Sequence, residues 1–182
     1  MKQLIFILIA CFVVSCGGPE PRKPVEVKSG SFFKESVERS KRLLTKEQAA
    51  IQKIIERDTL HEYLTSANGF SYYFDAKEDS LAPLPETDDK VLLTYNVTTF
   101  GNDTLYTSDE IGVFEMLVDK EQLFQGLRSA IKLMREGEKA TFLFPSSLAY
   151  GYLGDGNKIA PATPIKSTVT LLKIEQKQDS IN

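Results

Sequence analysis

Tryptophan is absent from this chain, histidine occurs once, and cysteine occurs twice, at positions 11 and 16. The single histidine, His61, stands beside Glu62 in a charged stretch and reads as a solvated surface group, which removes the commonest general base from consideration. Adjacent acids occur at Glu78-Asp79 and Asp88-Asp89, but in loop segments, and no metal site is expected there. A basic face is missing too: Lys plus Arg number 22 against 25 Asp plus Glu, a net charge of −3. Binding phosphates requires the opposite balance, so nucleic acid is excluded as a partner. No apolar run approaches the roughly 20 residues that a bilayer-spanning helix needs.

The longest apolar run, residues 4–14, follows Lys2 and precedes Ser15-Cys16. That order of basic residue, apolar core, small residue and cysteine resembles a bacterial lipoprotein cleavage box. It implies a signal peptide over residues 1–15 and a lipid, palmitate among its chains, on Cys16; a plain secretory signal cleaved near Ser15 is the alternative. Cys11 then leaves with the signal and Cys16 is acylated, so no thiol remains for a disulfide, redox or metal site. Several acyl chains anchor stably where one binds only marginally. Loss of Lys2 leaves 21 basic against 25 acidic residues, a charge of −4. The expectation is a mildly acidic globule held on the envelope membrane outside the cytoplasm, facing the periplasm.

Residues 16–30 are rich in Gly and Pro and read as a flexible tether. Residues 31–67 carry a helical pattern: Thr45-Lys46-Glu47-Gln48 has the form of a capping box, and Ile51, Ile54 and Ile55 follow at helical spacing. This arm has three possible uses: a spacer, a homodimerisation element, or a cap on its own domain. Asn68-Gly69 breaks the pattern and opens strand territory, so the globular domain is set at 68–176, with a tail at 177–182.

Within it, Val91, Leu93, Tyr95 and Val97 alternate with polar or half-buried positions as in a strand. Gly101, Asn102 and Asp103 form its turn. Further strands fall at 113–117, 140–144 and 167–174. A single amphipathic helix interrupts them, its apolar stripe Phe124, Leu127, Ile131 and Met134 ending at Gly137. The fold class is α+β: a curved antiparallel sheet wrapped around one amphipathic helix, preceded by a helical arm.

The order of a strand with Tyr95, a short aromatic strand, Phe124-Gln125-Gly126-Leu127, Gly137-Glu138-Lys139, then Leu148-Ala149-Tyr150-Gly151 and Ile159-Ala160-Pro161 resembles the FKBP-type peptidyl-prolyl isomerases. With an anchor and arm in front, it also resembles the gliding-motility-associated FKBP-type lipoproteins of the Bacteroidota. The resemblance implies a cofactor-free rotamase whose apolar basket holds a proline ring. Its walls would be Tyr95, Tyr106, Phe114, Phe124, Tyr150 and Ile159, with Met116, Leu123 and Leu127 completing the pocket. Tyr150 would be both wall and hydrogen-bond donor at the lip.

Three positions depart from the family pattern. Leu127 stands for a floor tryptophan, Thr107 for an aspartate and Ser167 for a phenylalanine, which implies a shallower, less rigid basket. Gly154-Asp155-Gly156-Asn157 mimics the start of a dinucleotide fingerprint, but without a third glycine it is read as a loop. Asp58-Thr59-Leu60, Asp79-Ser80-Leu81 and Asp103-Thr104-Leu105 resemble a short O-glycosylation signal. Two functions follow: an isomerase acting as a folding helper on proline-containing polypeptides, or a binding module and chaperone with vestigial catalysis.

Overall fold

The computed structural model describes residues 29–78, 81–121 and 123–177. The expected signal peptide, Cys16, most of the tether, the C-terminal tail from 178 and the Asp79-Ser80 motif lie outside the described residues. Two compact units divide at Ser36/Val37, and everything from β1 onward belongs to the second. In chain order come α1 (Ser29–Arg57), β1 (Leu64–Thr65), β2 (Ser71–Ala76), β3 (Lys90–Tyr95), β4 (Val97–Thr99) and β5 (Thr104–Tyr106). There follow α2 (Ser108–Ile111), β6 (Phe114–Leu117), α3 (Gln125–Ile131), β7 (Lys139–Phe144), a 3-10 turn (Ser146–Leu148) and β8 (Ile165–Glu175).

Every strand pairing is antiparallel, in the order β1-β2-β7-β8-β3-β6, with β4 joining β8 to β5. β8 is the spine. Its Ile165, Ser167, Val169 and Leu171 alternate buried with half-buried residues, as the period of two predicts. Register then fixes which neighbours share that face: Phe144, Phe142 and Ala140 of β7 oppose Ile165, Ser167 and Val169, while Tyr95 and Leu93 of β3 oppose Val169 and Leu171. Against this concave side α3 buries Gly126, Leu127, Ala130 and Ile131. Each large aliphatic so buried stabilises by roughly 1.5–3 kcal/mol. Phe70, Phe142 and Phe144 stack behind them with centroids 5.2–5.8 Å apart.

Asn96 interrupts the long first strand, which the alternation reads as continuous. Its N–H donates to the Thr168 carbonyl, its Oδ1 accepts from the Thr168 N–H at 2.8 Å, and its own carbonyl accepts from Ser167 Oγ at 2.6 Å. The kink between β3 and β4 is therefore fully bonded.

Four local expectations are corrected. α1 ends at Arg57 rather than near 65–67, and begins at Ser29, inside the expected tether. Asp58 stops it: the carboxylate accepts from the Leu60 N–H, His61 Nδ1 and the Tyr63 hydroxyl, a local alternative to the helical ladder. Thr45 is mid-helix, not a cap. Its hydroxyl donates back to the Lys41 carbonyl, and Glu47 accepts instead from the Ser146 N–H across 99 positions. Asn68-Gly69 turns the β1–β2 hairpin, with Gly69 at φ +90°, rather than ending a helix. α3 stops at Ile131, so Gly137, at φ +87°, serves the turn into β7, its N–H donating to the Leu171 carbonyl. His61 is exposed but anchored, stacking on Tyr73 at 4.0 Å.

The second half of α1 packs on its own domain through two buried residues, Glu47 and Ile51.

Candidate functional site

Strand register brings Tyr95, Tyr106, Phe114 and Met116 to the inner face, while Leu123, Phe124 and Leu127 come from the start of α3, and Tyr150 and Ile159 from the loop before β8. Tyr95 ends β3 two residues beyond Leu93 on the same side. Phe114 of β6 opposes Leu93 and Met116 opposes Val91, so both project to the face that holds Tyr95. Tyr106 closes β5 opposite buried Val97. Phe124 is the N-cap residue of α3, placed there by extended backbone at φ −60°, ψ 144°.

These side chains converge. The Phe124 ring lies 5.1 Å from Tyr150, 6.5 Å from Tyr95 and 5.5 Å from Phe144, in tilted and edge-on geometries that aromatic quadrupoles favour. Tyr95, Met116, Leu127 and Ile159 are buried; Tyr106, Phe114, Leu123, Phe124 and Tyr150 are half-buried around them. All nine residues named from the sequence thus belong to the domain's hydrophobic core or pack against it, a core that also holds Phe70, Val97 and Met134. The Tyr95 and Tyr150 hydroxyls are near enough to influence each other's ionisation. Burial pushes both phenols upward from their ordinary value, for Tyr150 reinforced by the nearby Tyr95 and Asp155. Both hydroxyls are therefore neutral donors across the physiological range.

The lip loop, residues 145–164, is ordered by its own backbone. Gly151, at φ +67°, returns its N–H to the Ser146 carbonyl at 2.9 Å. Gly154, at φ +71°, passes so close to Ile159 that an added Cβ would stand 2.1 Å from the Ile159 carbonyl oxygen. Between them Asp155 is the organiser. One carboxylate oxygen accepts from the Asn157 and Ile159 N–H groups at 2.9 and 2.8 Å; the other accepts from the Tyr106 hydroxyl at 2.5 Å. Burial opposes ionisation of Asp155, but these bonds outweigh it and hold its carboxyl below the usual range. The same bond to Asp155 raises the Tyr106 phenol. Lys158 lies over the Tyr106 ring at 4.7 Å and pairs with Glu110 at 2.7 Å.

Asp155 was missed in the sequence. It lay inside a stretch read only as a loop, and the one available signal was the Asp-x-Asn spacing that favours a side chain bonding its own backbone two residues on. Thr107, standing where the family pattern has an aspartate, is the N-cap of α2. It completes a capping box with Glu110, and the carboxylate beside the basket comes from Asp155 instead. Ser167 is fully buried, its hydroxyl spent on Asn96. Leu127 is fully buried on α3, as are Gly126, Ala130 and Ile131.

A curved antiparallel sheet around one short helix, with an aromatic cluster at the helix N-terminus and a tyrosine on a glycine-rich lip, defines the FKBP-like fold. Solved structures agree. An isomerase from Pseudomonas syringae pv. tomato superposes with a TM-score of 0.60 at 21% identity, over 75% of this chain and 96% of that one. The N-terminal domain of FKBP42 from Arabidopsis thaliana gives 0.58 at 19%, over 65% and 96%. The family model for FKBP-type peptidyl-prolyl cis-trans isomerases matches residues 82–172, half of the chain, and the chain belongs to that family. FkpA of Neisseria meningitidis serogroup B, an isomerase of this type by name, is 30% identical over 110 residues, 60% of this chain and 39% of its own length. The macrophage infectivity potentiator of Trypanosoma cruzi is 32% identical over 91 residues, 50% of this chain and 46% of its own. The chain therefore spans less than half the length of these curated relatives.

Proposed function

We propose that this protein catalyses cis–trans isomerisation of X–Pro bonds in extracytoplasmic polypeptides and so assists their folding, tethered to the envelope membrane through lipid on Cys16. The observation that carries the catalytic part is the contact between the Tyr95, Phe124 and Tyr150 rings: Tyr95 is buried, Phe124 and Tyr150 are half-buried, and no ionisable group stands among them except neutral phenols.

Rotation about the planar X–Pro amide faces a barrier of ~18–20 kcal/mol because of resonance. In the twisted transition state that resonance is lost and the carbonyl becomes less polar. An apolar basket receives the twisted form better than the planar one, which is differential binding. A thousandfold acceleration asks for only about 4 kcal/mol. In this reading the Tyr150 hydroxyl and the Phe124 backbone N–H hold the carbonyls on either side of the rotating bond, and no nucleophile or metal is required. The substrate is a proline-containing segment of an unfolded chain or flexible loop.

The test is a Leu-Pro peptide isomerisation assay on the soluble 17–182 protein. Acceleration over buffer is expected, falling at least tenfold in Phe114→Ala and less in Tyr150→Phe, with both variants folded by circular dichroism. Binding of proline peptides without acceleration would transfer the protein to a second reading, a chaperone or binding module. Fully buried Leu127 and Ser167, where the family carries bulkier rings, favour that alternative. Cys16→Ala, which should release the protein from membranes, tests the anchor. Gliding-motility machinery as client is the narrowest form of the reading and rests on sequence resemblance alone; co-purification of a motility component with the Phe114→Ala variant is its test.

A further inference from the structure

Beside the lip loop lies a cavity of about 130 Å³ whose lining includes none of the basket residues. Leu43, Leu44 and Glu47 of α1 form one wall, and Ser146, Gly151 and Tyr152 the other. Its polarity is uneven. Leu43, Leu44 and the Tyr152 ring are apolar, whereas Glu47 brings a carboxylate on a residue only 4% exposed. One Glu47 oxygen accepts from the Ser146 N–H at 3.0 Å; the other, Oε1, is buried and has no hydrogen-bond partner. A buried acceptor without a donor is costly, and a buried anionic one more so. The fold thus holds half of a charge-assisted pair at the end of an apolar slot.

The matching group is a long methylene stem that ends in a cation. Lysine and arginine have that shape: their stems lie along apolar surface while the head seeks an anion. Tyr152 is 72% exposed and can cover such a stem with its ring. Position gives the slot its meaning. Gly151 and Tyr152 directly follow Tyr150, so the cavity borders the loop that carries the lip tyrosine. A polypeptide advances roughly 3.3 Å per residue when extended, so each position away from a bound proline carries its side chain that much farther along the loop.

We propose that this cavity is an accessory subsite for a lysine or arginine of the client polypeptide, with Glu47 as its anionic floor. It rests on the isomerase reading only for the identity of the client as a proline-containing chain. The isomerase therefore prefers X–Pro segments with a basic residue nearby. α1, through Glu47, takes part in choosing the substrate.

The experiment uses the soluble 17–182 protein and a series of Leu-Pro peptides. Each carries lysine, or its uncharged counterpart norleucine, at one position from two to five residues on either side of the proline. Dissociation constants and isomerisation rates are measured for every pair. At one or two adjacent positions lysine should bind about tenfold more tightly than norleucine, the size of one partly screened charge-assisted bond. That ratio should shrink in high salt, and the Ser146 and Tyr152 amide resonances should move on titration. In Glu47→Gln, which keeps an acceptor for the Ser146 N–H, the ratio should fall to about one. A lysine-to-norleucine ratio of one at all positions in the wild type overturns the subsite, even if every peptide is isomerised. A ratio that survives Glu47→Gln overturns the role of Glu47. Selective lysine binding without isomerisation would sink the catalytic reading and leave the subsite standing. Should Glu47→Gln fail to fold, the wild-type ratio, its salt dependence and the amide shifts decide alone.

Discussion

Asp155 does more for the candidate site than any residue the sequence singled out. Its carboxylate holds the Tyr106 hydroxyl and two loop N–H groups, so one side chain sets both a basket wall and the path of the lip. Asp155→Ala removes all three bonds, while Tyr106→Phe removes the bond to Asp155 and the one accepted from Asn157 Nδ2, leaving the two backbone bonds of the loop turn intact. The aspartate change should therefore cost about 1–3 kcal/mol in urea unfolding, the penalty of stranded buried donors, and reduce kcat/KM at least tenfold. Tyr106→Phe should cost less and leave most of the turnover. Equal losses in the two variants would mean the loop does not depend on its aspartate turn. The wall residues themselves were legible, because strand alternation and the family order both mark them. Asp155 was not, because its effect depends on Tyr106 arriving from 49 positions away. Leu127 illustrates the same limit. A sequence comparison predicts that restoring tryptophan there deepens the basket, yet Leu127 is fully buried in a packed interior. Leu127→Trp should cost about 1–3 kcal/mol of stability through overpacking. Since the chain has no other tryptophan, the new indole reports on itself. Blue-shifted emission that changes on adding a proline peptide is the outcome expected of a floor residue, whereas emission indifferent to peptide would place the residue behind the basket.

Among the elements, α3 is short but closely fitted, and its fit turns on one glycine. A Cβ on Gly126 would stand 2.5 Å from the Phe144 ring and 2.8 Å from the Leu148 carbonyl, so the helix can approach β7 and the 3-10 turn only without a side chain there. Helix propensity alone predicts that Gly126→Ala stabilises by up to roughly 1 kcal/mol. The contact geometry predicts the reverse, a loss of about 1–3 kcal/mol as the helix is pushed from the strand. A melting temperature above wild type would show that α3 shifts freely. The apolar stripe made the existence of α3 legible in the sequence, but not its end. The pattern through Met134 continues in a turn that buries the same face without helical bonding, with Met134 donating its N–H to the Ile131 carbonyl. α1 shows the converse. Its length was overestimated because Thr59, His61, Tyr63 and Thr65 follow without a proline or glycine. The terminating signal was the Asp58 side chain, whose partners become visible only once the chain turns.

For the molecule as a whole, the boundary between arm and domain decides what can fold by itself. Composition puts it at Asn68-Gly69, which assigns Glu47, Ile51 and the β1 strand to a detachable arm. The folded chain disagrees in three places. Glu47 bonds the Ser146 N–H, Ile51 is 5% exposed, and β1 pairs with β2 through Leu64↔Tyr72 and Thr65↔Ser71. The compact unit begins at Val37. Removing residues up to 69 strands the Ser146 N–H at the foot of the lip and unpairs one edge of β2, while removing residues up to 36 touches neither. A fragment from 37 to 182 should accordingly melt within a degree or two of the 17–182 protein and match its turnover of a Leu-Pro peptide. One from 70 to 182 should lose about 2–4 kcal/mol, the sum of a buried unsatisfied donor and lost apolar burial. Its kcat/KM should fall in the same preparation, because the turn that Glu47 caps runs directly into Tyr150. If the shorter fragment instead retains full stability and rate, the arm is an appendage, and the Glu47 contact contributes nothing to how the lip is held.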